Sequence, residues 1–355
     1  MAADRIRSAT DPQEVRLTQT HTESSSEVQL RQLVARYARP IHGRAWWQLV
    51  NTLIPYFLGW ALMAWNVRAG GSYLLTLGLG VVTAGLYVRL FIIQHDCGHG
   101  SFFANRKLDH VVGAFLGVLT LFPYGYWKKT HAIHHATAGN LDRREFGDVV
   151  TLTVREYEAL PWHRRFGYRL YRSAPVLLFI GPSYQFILKH RFPFDIPFAW
   201  KKEWASVLWN NLFLGLAGWG LVSWLGWRTL LLVELPILVI AGAVGVWLFY
   251  VQHQFEEVYW DRQENWDPDK AALEGSSFYD LPKLLHWFTG NIGYHHIHHL
   301  AAKIPNYRLR ECFESSALLQ QAPRLTFIES LRCARLKLFD EERRRLIPFS
   351  ALRAT

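Results

Sequence analysis

Cysteine is scarce in this chain of 355 residues. Its three copies, Cys97, Cys312 and Cys333, stand at spacings that match neither a disulfide framework nor a CxxC metal knuckle. That excludes a fold stapled by disulfides, leaves no cysteine set for an iron–sulfur cluster, and fits a reducing compartment. A glycine fingerprint for a dinucleotide is missing too, as is any internal repeat. The first 27 residues, ending "TQTHTESSSE", lack an apolar h-region, so a disordered polar tail is expected there rather than a secretory signal.

What is abundant is apolar surface. Half of the residues are hydrophobic, with 16 Trp, 22 Phe and 15 Tyr, and the charges are spread unevenly. The net charge of +10 would suit nucleic acid or anionic lipid, and the hydropathy decides for lipid: a membrane partner and no nucleic acid. In "VQLRQLVARYARP", Leu30, Leu33, Val34 and Tyr37 follow the spacing of an amphipathic helix, lying either in the membrane interface or on the protein surface.

Four stretches, 46–67, 72–93, 205–224 and 229–251, reach the roughly 20 residues needed to cross a ~30 Å hydrocarbon core. Only "RAGG" and "LGWR" join the members of each pair, which predicts two tight hairpins pointing the same way. Of the 39 Lys and Arg residues, 7 precede the first span, 15 fall between the second and third, and 14 follow the fourth. By the positive-inside rule those three segments face the cytoplasm. Arg89, inside the second span, is expected to snorkel to the wet end of its helix. Two shorter apolar runs, 111–126 and 174–188, contain Pro123, and Pro175, Gly181 and Pro182, and read as interfacial or re-entrant segments. The expected architecture is an all-α integral membrane protein with one membrane domain over 28–355. Its four helices form two hairpins, and a cytoplasmic cap is built from 94–204 and 252–355.

Nine of the 16 histidines fall into four places at the predicted cytoplasmic ends of apolar segments. "HDCGH" holds His95 and His99, "HAIHH" holds His131, His134 and His135, and "VQHQFEE" holds His253. "HHIHH" adds His295, His298 and His299, with His296 as a further imidazole. Spacings of three and four place rings on one helical face, where their nitrogens can converge. One HxxxH alone is more often packing than a metal site. Three multi-histidine clusters on one side of a membrane would strand many polar rings beside apolar surface unless a metal engaged them. Nine nitrogen donors exceed what one zinc takes and suit two ions of higher coordination, with Zn, Cu, Fe and Ni all compatible with imidazole. The Glu and Glu-x-x-His ligands of soluble di-iron bundles do not occur. A membrane zinc hydrolase and a metal transporter fit less well, the first because of the histidine surplus and the second because the ligands cluster at helix ends.

These clusters resemble the HxxxH, HxxHH and HxxHH boxes of the membrane-bound fatty acid desaturases. The flanks "HDCGHGSFFANRKLD", "WKKTHAIHHATAGNLDRREFGD" and "LLHWFTGNIGYHHIHHLAAKIPNYRL" look like the delta-12 (omega-6) acyl-lipid branch. The likeness runs from about residue 91 to 312. It implies that His95, His99, His131, His134, His135, His253, His295, His298 and His299 ligate two iron ions. His253 belongs to no box and rests on its place at a helix end. It further implies insertion of a cis double bond into a long-chain acyl group on a lipid, coenzyme A or carrier protein. Dioxygen and two electrons from an external donor, a ferredoxin or cytochrome b5, would be consumed. A di-iron hydroxylase or ketolase acting on lipid, alkane or carotenoid is the nearest alternative, since insertion of oxygen can share the first hydrogen abstraction.

Acids that could orient the ligand rings are Asp96, Asp142, Asp148, Glu256, Glu257 and Asp280, at least half of which are expected to be ordinary surface charges. Asn291 could hold a metal-bound water or serve in packing or capping, and Cys97 reads as a core residue. Tyr124, Trp127, Trp266, Trp287 and Phe288 could line an acyl slot, or belong to the core and the interfacial belt.

Overall fold

The computed structural model describes residues 25–144 and 146–352. Most of the predicted tail, residues 1–24, lies outside the described residues. The chain opens with α1 (Ser25–Ala35), followed by the long helices α2 (His42–Arg68) and α3 (Tyr73–His99). Next come α4 (Arg106–Leu119), α5 (Tyr124–Thr137), α6 (Val154–Glu158), α7 (Trp162–Tyr171) and α8 (Val176–Lys189, with π-helical turns). Two further long helices, α9 (Lys201–Leu225) and α10 (Trp227–His253), precede α11 (Pro268–Leu273), α12 (Lys283–Phe288), α13 (His295–Leu300), α14 (Asn306–Glu314) and α15 (Phe327–Cys333).

The expected all-α class needs one correction. Strands β1 (Phe278–Asp280) and β2 (Arg324–Thr326) pair in parallel, and β3 (Leu338–Asp340) and β4 (Arg345–Ile347) pair antiparallel. Each is three residues long, too short to show as an alternating pattern in the sequence.

Three helices, α3, α9 and α10, are long and apolar enough to cross a bilayer, and four if α4 and α5 count as one broken span. The predicted first span is a continuous helix, α2, but its apolarity falls short of that standard because Gln48, Asn51, Thr52 and Asn66 dilute it. Three of those four point inward. Gln48, Thr52 and Asn66 are buried, and Asn66 Nδ2 donates to Ser72 O and Thr76 Oγ1 at 2.9 Å each. Trp47, Ile54, Leu58 and Trp65 are exposed, leaving an apolar face outward, as a lipid-facing helix requires. Helix α2 packs along α3, and α3 along α10.

Helices α4 and α5 meet at an angle of 103° across residues 120–123. Pro123, which cannot continue a helix from within, stands immediately before α5, in keeping with the re-entrant reading of this run. The apolar stripe of α1 does not face lipid. Leu30, Leu33, Val34 and Tyr37 pack against Phe278, Tyr294, Ile297, Ile304 and Leu309, making α1 a surface helix on the C-terminal third.

Arg89 departs from expectation. Instead of snorkelling it is buried, its guanidinium lies 4.2 Å from the Trp287 ring centroid, Nε donates to Thr52 Oγ1 at 3.1 Å, and Nη1 donates to the Trp287 carbonyl. Local acceptors satisfy the charge, so it has no need to reach water.

Candidate metal centre

Four helix ends meet at one place. Helix α3 delivers His95 and His99 in its last turn and stops at Gly100, whose φ of 64° is the left-handed conformation glycine adopts freely. Helix α5 delivers His131, His134 and His135, and α10 ends on His253. The chain reverses between α12 and α13 through two successive left-handed residues, Gly290 (φ 53°) and Asn291 (φ 57°), before α13 presents His295, His298 and His299. A β-carbon on Gly290 would lie 2.7 Å from Ile92 Cγ2, so this turn is pressed against α3.

The nine histidines sort into two groups. His95, His99, His131, His135 and His298 form the first, and His134, His253, His295 and His299 the second. Within each group one nitrogen from every ring lies within 4.8 Å of all the others. Helical geometry explains the sorting. Partners at i, i+4 share a face, whereas i, i+3 partners diverge by about 60°. His131 and His135 therefore enter one group and His134 the other, and His295 and His299 separate from His298 in the same way. The groups adjoin: the rings of His135 and His299 stack with centroids 4.2 Å apart.

The nitrogen positions fit metal ions. Nε2 atoms approach at 3.0 Å for His131 with His135, 3.0 Å for His135 with His298, 2.9 Å for His253 with His295 and 3.1 Å for His295 with His299. Metal–imidazole bonds of ~2.1 Å at right angles put neighbouring nitrogens ~3.0 Å apart, the edge of a five- or six-coordinate shell. Further nitrogens, Nε2 of His99 and of His134, are buried with no hydrogen-bond partner. Burial first, and neighbouring imidazoles second, hold His295, His298 and His299 well below the ordinary histidine pKa, so these rings are neutral and offer lone pairs. Facing lone pairs repel; a cation between them turns that repulsion into ligation.

Two of the six candidate acids touch ligand rings. Asp148 Oδ1 lies 2.7 Å from His134 Nδ1, and Asp96 Oδ1 lies 3.1 Å from His95 Nδ1; the Gly275 carbonyl stands 3.4 Å from His253 Nδ1. Each acceptor draws the proton to Nδ1 and leaves Nε2 free to bind metal. The other acids are surface charges. Asp142 takes Arg262 at 2.7 Å, Glu256 takes Arg345 at 3.2 Å, Asp280 pairs with Arg324, and Glu257 is exposed. Asn291 donates to the Asn306 carbonyl at 3.3 Å, a packing role, and Cys97 is buried in the core.

Of the predicted slot aromatics only Trp127 meets the ligands, stacked on His131 with centroids 4.5 Å apart. Tyr124 donates to the Cys97 carbonyl at 2.7 Å, Trp266 donates to the Ala138 carbonyl at 3.0 Å, and Trp287 lies under Arg89. Phe288 abuts Gly85, where a β-carbon would stand 2.7 Å from its ring. Phe249, whose ring lies 5.1 Å from His134 and 5.2 Å from His253, shields the second group and was not foreseen.

Asn306 was also missed. Its backbone N–H and its Nδ2 both donate to Asp96 Oδ2, at 2.6 and 2.9 Å, and its Oδ1 accepts from Gln48 Nε2 at 2.9 Å. All three side chains are buried. Asp96 Oδ2 is thereby occupied and Oδ1 is left for His95. No spacing rule finds such a residue, because its contact spans 210 positions. Asn306→Ala is expected to weaken metal binding in the first group by roughly 10–100-fold and leave the second unchanged, as metal titration of the purified variant would reveal.

Comparison with known proteins fixes the family. A family model described as Fatty acid desaturase matches residues 71–327, which contain all nine histidines. The chain belongs to the fatty acid desaturase family. A protein of Bacillus subtilis (strain 168) named "Fatty acid desaturase" is 44% identical over 332 residues, covering 94% of this chain and 93% of the relative. An "sn-1 acyl-lipid omega-3 desaturase (ferredoxin)" of Nostoc sp. (strain 36) is 31% identical over 241 residues, 65% of this chain and 64% of its own. More distant is an "sn-1 oleoyl-lipid 12-desaturase" of Anabaena variabilis, 23% identical over 299 residues, 77% of this chain and 76% of its own. The desaturase is thus an oxidoreductase of lipid metabolism with a membrane character, and its paired histidine groups suit a metal centre.

Proposed function

We propose that the nine histidines hold two irons and that the enzyme inserts a cis double bond into a long-chain acyl group of a membrane lipid. The observation that carries this is the division of nine imidazoles into two adjoining sets with metal-like nitrogen spacing. Iron and dioxygen together supply the oxidising power needed to break unactivated C–H bonds. The net reaction balances: the acyl chain gives up two hydrogens with their electrons, two electrons come from the carrier and two protons from solvent, and dioxygen leaves as two waters. The chain's own residues orient and protect. Asp96 and Asp148 set the tautomers of His95 and His134, while Trp127 and Phe249 cover the rings against water.

The words acyl-lipid and ferredoxin in the Nostoc relative's name support a lipid-borne substrate and a separate electron donor of the ferredoxin or cytochrome b5 kind. The delta-12 (omega-6) position rests on the flanks "ATAGNLDRR" and "GNIGYHHIHHL"; relatives bear omega-3, omega-6 and 12-desaturase names. The distribution of Lys and Arg supports a cytoplasmic metal centre above two helical hairpins, in one membrane domain over 28–355.

Expression in a host without polyunsaturated lipids, followed by mass spectrometry of its fatty acids, tests the reading. Diunsaturated chains with the new bond at the delta-12 position are expected. A hydroxylated product would identify the alternative chemistry, and one zinc per purified chain instead of two irons would overturn the metal assignment.

A further inference from the structure

Arg106, Lys107, Lys128, Lys129 and Lys303 come from three separate parts of the chain, and among the described residues none has a carboxylate within ion-pair reach. One basic region on the C-terminal third differs. Arg262, Arg344 and Arg345 are matched by Asp142, Glu341, Asp261 and Glu256. Asp109, the acid beside the unpaired cations, is buried and spends Oδ1 on the Phe103 N–H at 2.9 Å. One such carboxylate cannot neutralise five cations.

Their placement ties them to the metal centre. Lys128 and Lys129 stand three and two residues before His131 on α5, and their ammonium groups lie over aromatic rings, 5.9 Å from the Tyr124 centroid and 4.9 Å from that of Trp200. Lys303 follows α13, and its Nζ donates to the His99 carbonyl. Arg106 and Lys107 open α4, seven and eight residues past His99, and are exposed. The histidine group beneath is the more open one. His99, His131 and His135 are all part-exposed, whereas only His299 is so in the second group.

We propose that Arg106, Lys107, Lys128, Lys129 and Lys303 form the docking surface for an acidic one-electron carrier protein that reduces the metal centre through its first histidine group. This rests on the reading above that electrons come from a separate donor. Each docking passes one electron from the reduced carrier to the centre, so two dockings serve each double bond. Anionic lipid headgroups would gain from these charges anywhere along the membrane rim. Lys128 and Lys303 lie nearest the more open histidines, beside His99, whose backbone carbonyl accepts from Lys303, and Arg106 lies beside both lysines; this favours a partner that must reach the metal.

The test uses the purified holoenzyme and its Arg106→Glu, Lys128→Glu double variant, with a plant-type [2Fe–2S] ferredoxin kept reduced by NADPH and its reductase. At low ionic strength the KM for ferredoxin is expected to rise on the order of tenfold or more, and its salt dependence to flatten. Iron content and the spectral change on dithionite reduction should match the parent. Direct binding of ferredoxin to the detergent-solubilised proteins, which needs no turnover, separates failure of docking from failure of the desaturase reading. An unchanged affinity for ferredoxin overturns the proposal. So does a variant whose ferredoxin affinity holds while its affinity for anionic lipid vesicles falls, since that result assigns the patch to headgroups.

Discussion

His134→Ala is expected to abolish desaturation while the protein stays in the membrane with about half of its metal. His134 is fully buried, its Nδ1 is engaged by Asp148 at 2.7 Å, and its Nε2 has no hydrogen-bond partner. The ring centroids of His253 and His299 stand 4.9 and 5.1 Å away. Removing the ring leaves three nitrogens in the second group and five in the first. Loss of a partner that merely orients a ligand costs ~10–100-fold in metal affinity or activity, and loss of a ligand must exceed that. Asp148→Asn supplies the comparison, because it spares the ligand and weakens only its orientation. Metal analysis with product analysis reads both variants. Two metals and unaltered product from His134→Ala would remove this residue from the site.

How far this centre was legible in the sequence depends on the range of each contact. The histidines announce themselves because periods of three and four residues are local and α-helical geometry turns them into shared faces. His253 lacks a box but stands where an apolar helix ends, and that sufficed to nominate it. The division into two groups was not legible, because it depends on how α3, α5, α10 and α13 cross. Asp96 could be suspected from its adjacency to His95, yet Asp142 looks just as promising beside the second box and turns out to face Arg262. Chain proximity does not specify direction. Asn306 and Gln48 were invisible for the same reason as Phe249: their value lies in contacts with distant elements. Helix α2 illustrates the limit of hydropathy. Its polar residues reduce the average while facing inward to hydrogen-bond partners, so the outer face is more lipid-like than the mean suggests. Arg89 shows the converse, a charge whose nearby acceptors lay on other helices.

Arg172→Met is expected to be among the most damaging changes away from the histidines. The guanidinium is fully buried and meets no carboxylate among the described residues. Nη1 donates to the Val150 carbonyl at 3.1 Å and to Thr151 Oγ1 at 2.5 Å. Nη2 donates to Tyr250 Oη at 3.2 Å, Gln254 Oε1 at 2.9 Å and the Leu336 carbonyl at 3.1 Å. Three remote parts of the chain are thus held by one side chain: the segment before α6, the last turn of α10 with the residue after it, and the stretch before β3. A neutral methionine escapes the desolvation cost of a buried charge but removes a donor from five acceptors; the Leu336 carbonyl and Gln254 Oε1 still accept from Tyr250 and Thr151, while each of the others that stays buried and unpaired costs ~1–3 kcal/mol. Hydrogen bonds to a charged donor are worth ~1.5–3 kcal/mol apiece, so their sum outweighs the relief, and a net loss of roughly 3–5 kcal/mol is expected. Gln254 is the neighbour of His253, so the second histidine group should loosen before the helices separate. In detergent, the thermal unfolding midpoint of Arg172→Met should fall by many degrees, with the metal of the second group lost first. Arg172→Lys, which keeps the charge but only three donors and no planar fork, should fall between the two. A methionine variant that melts with the parent and retains both metals would show that these five hydrogen bonds do not hold the C-terminal segment to the metal centre.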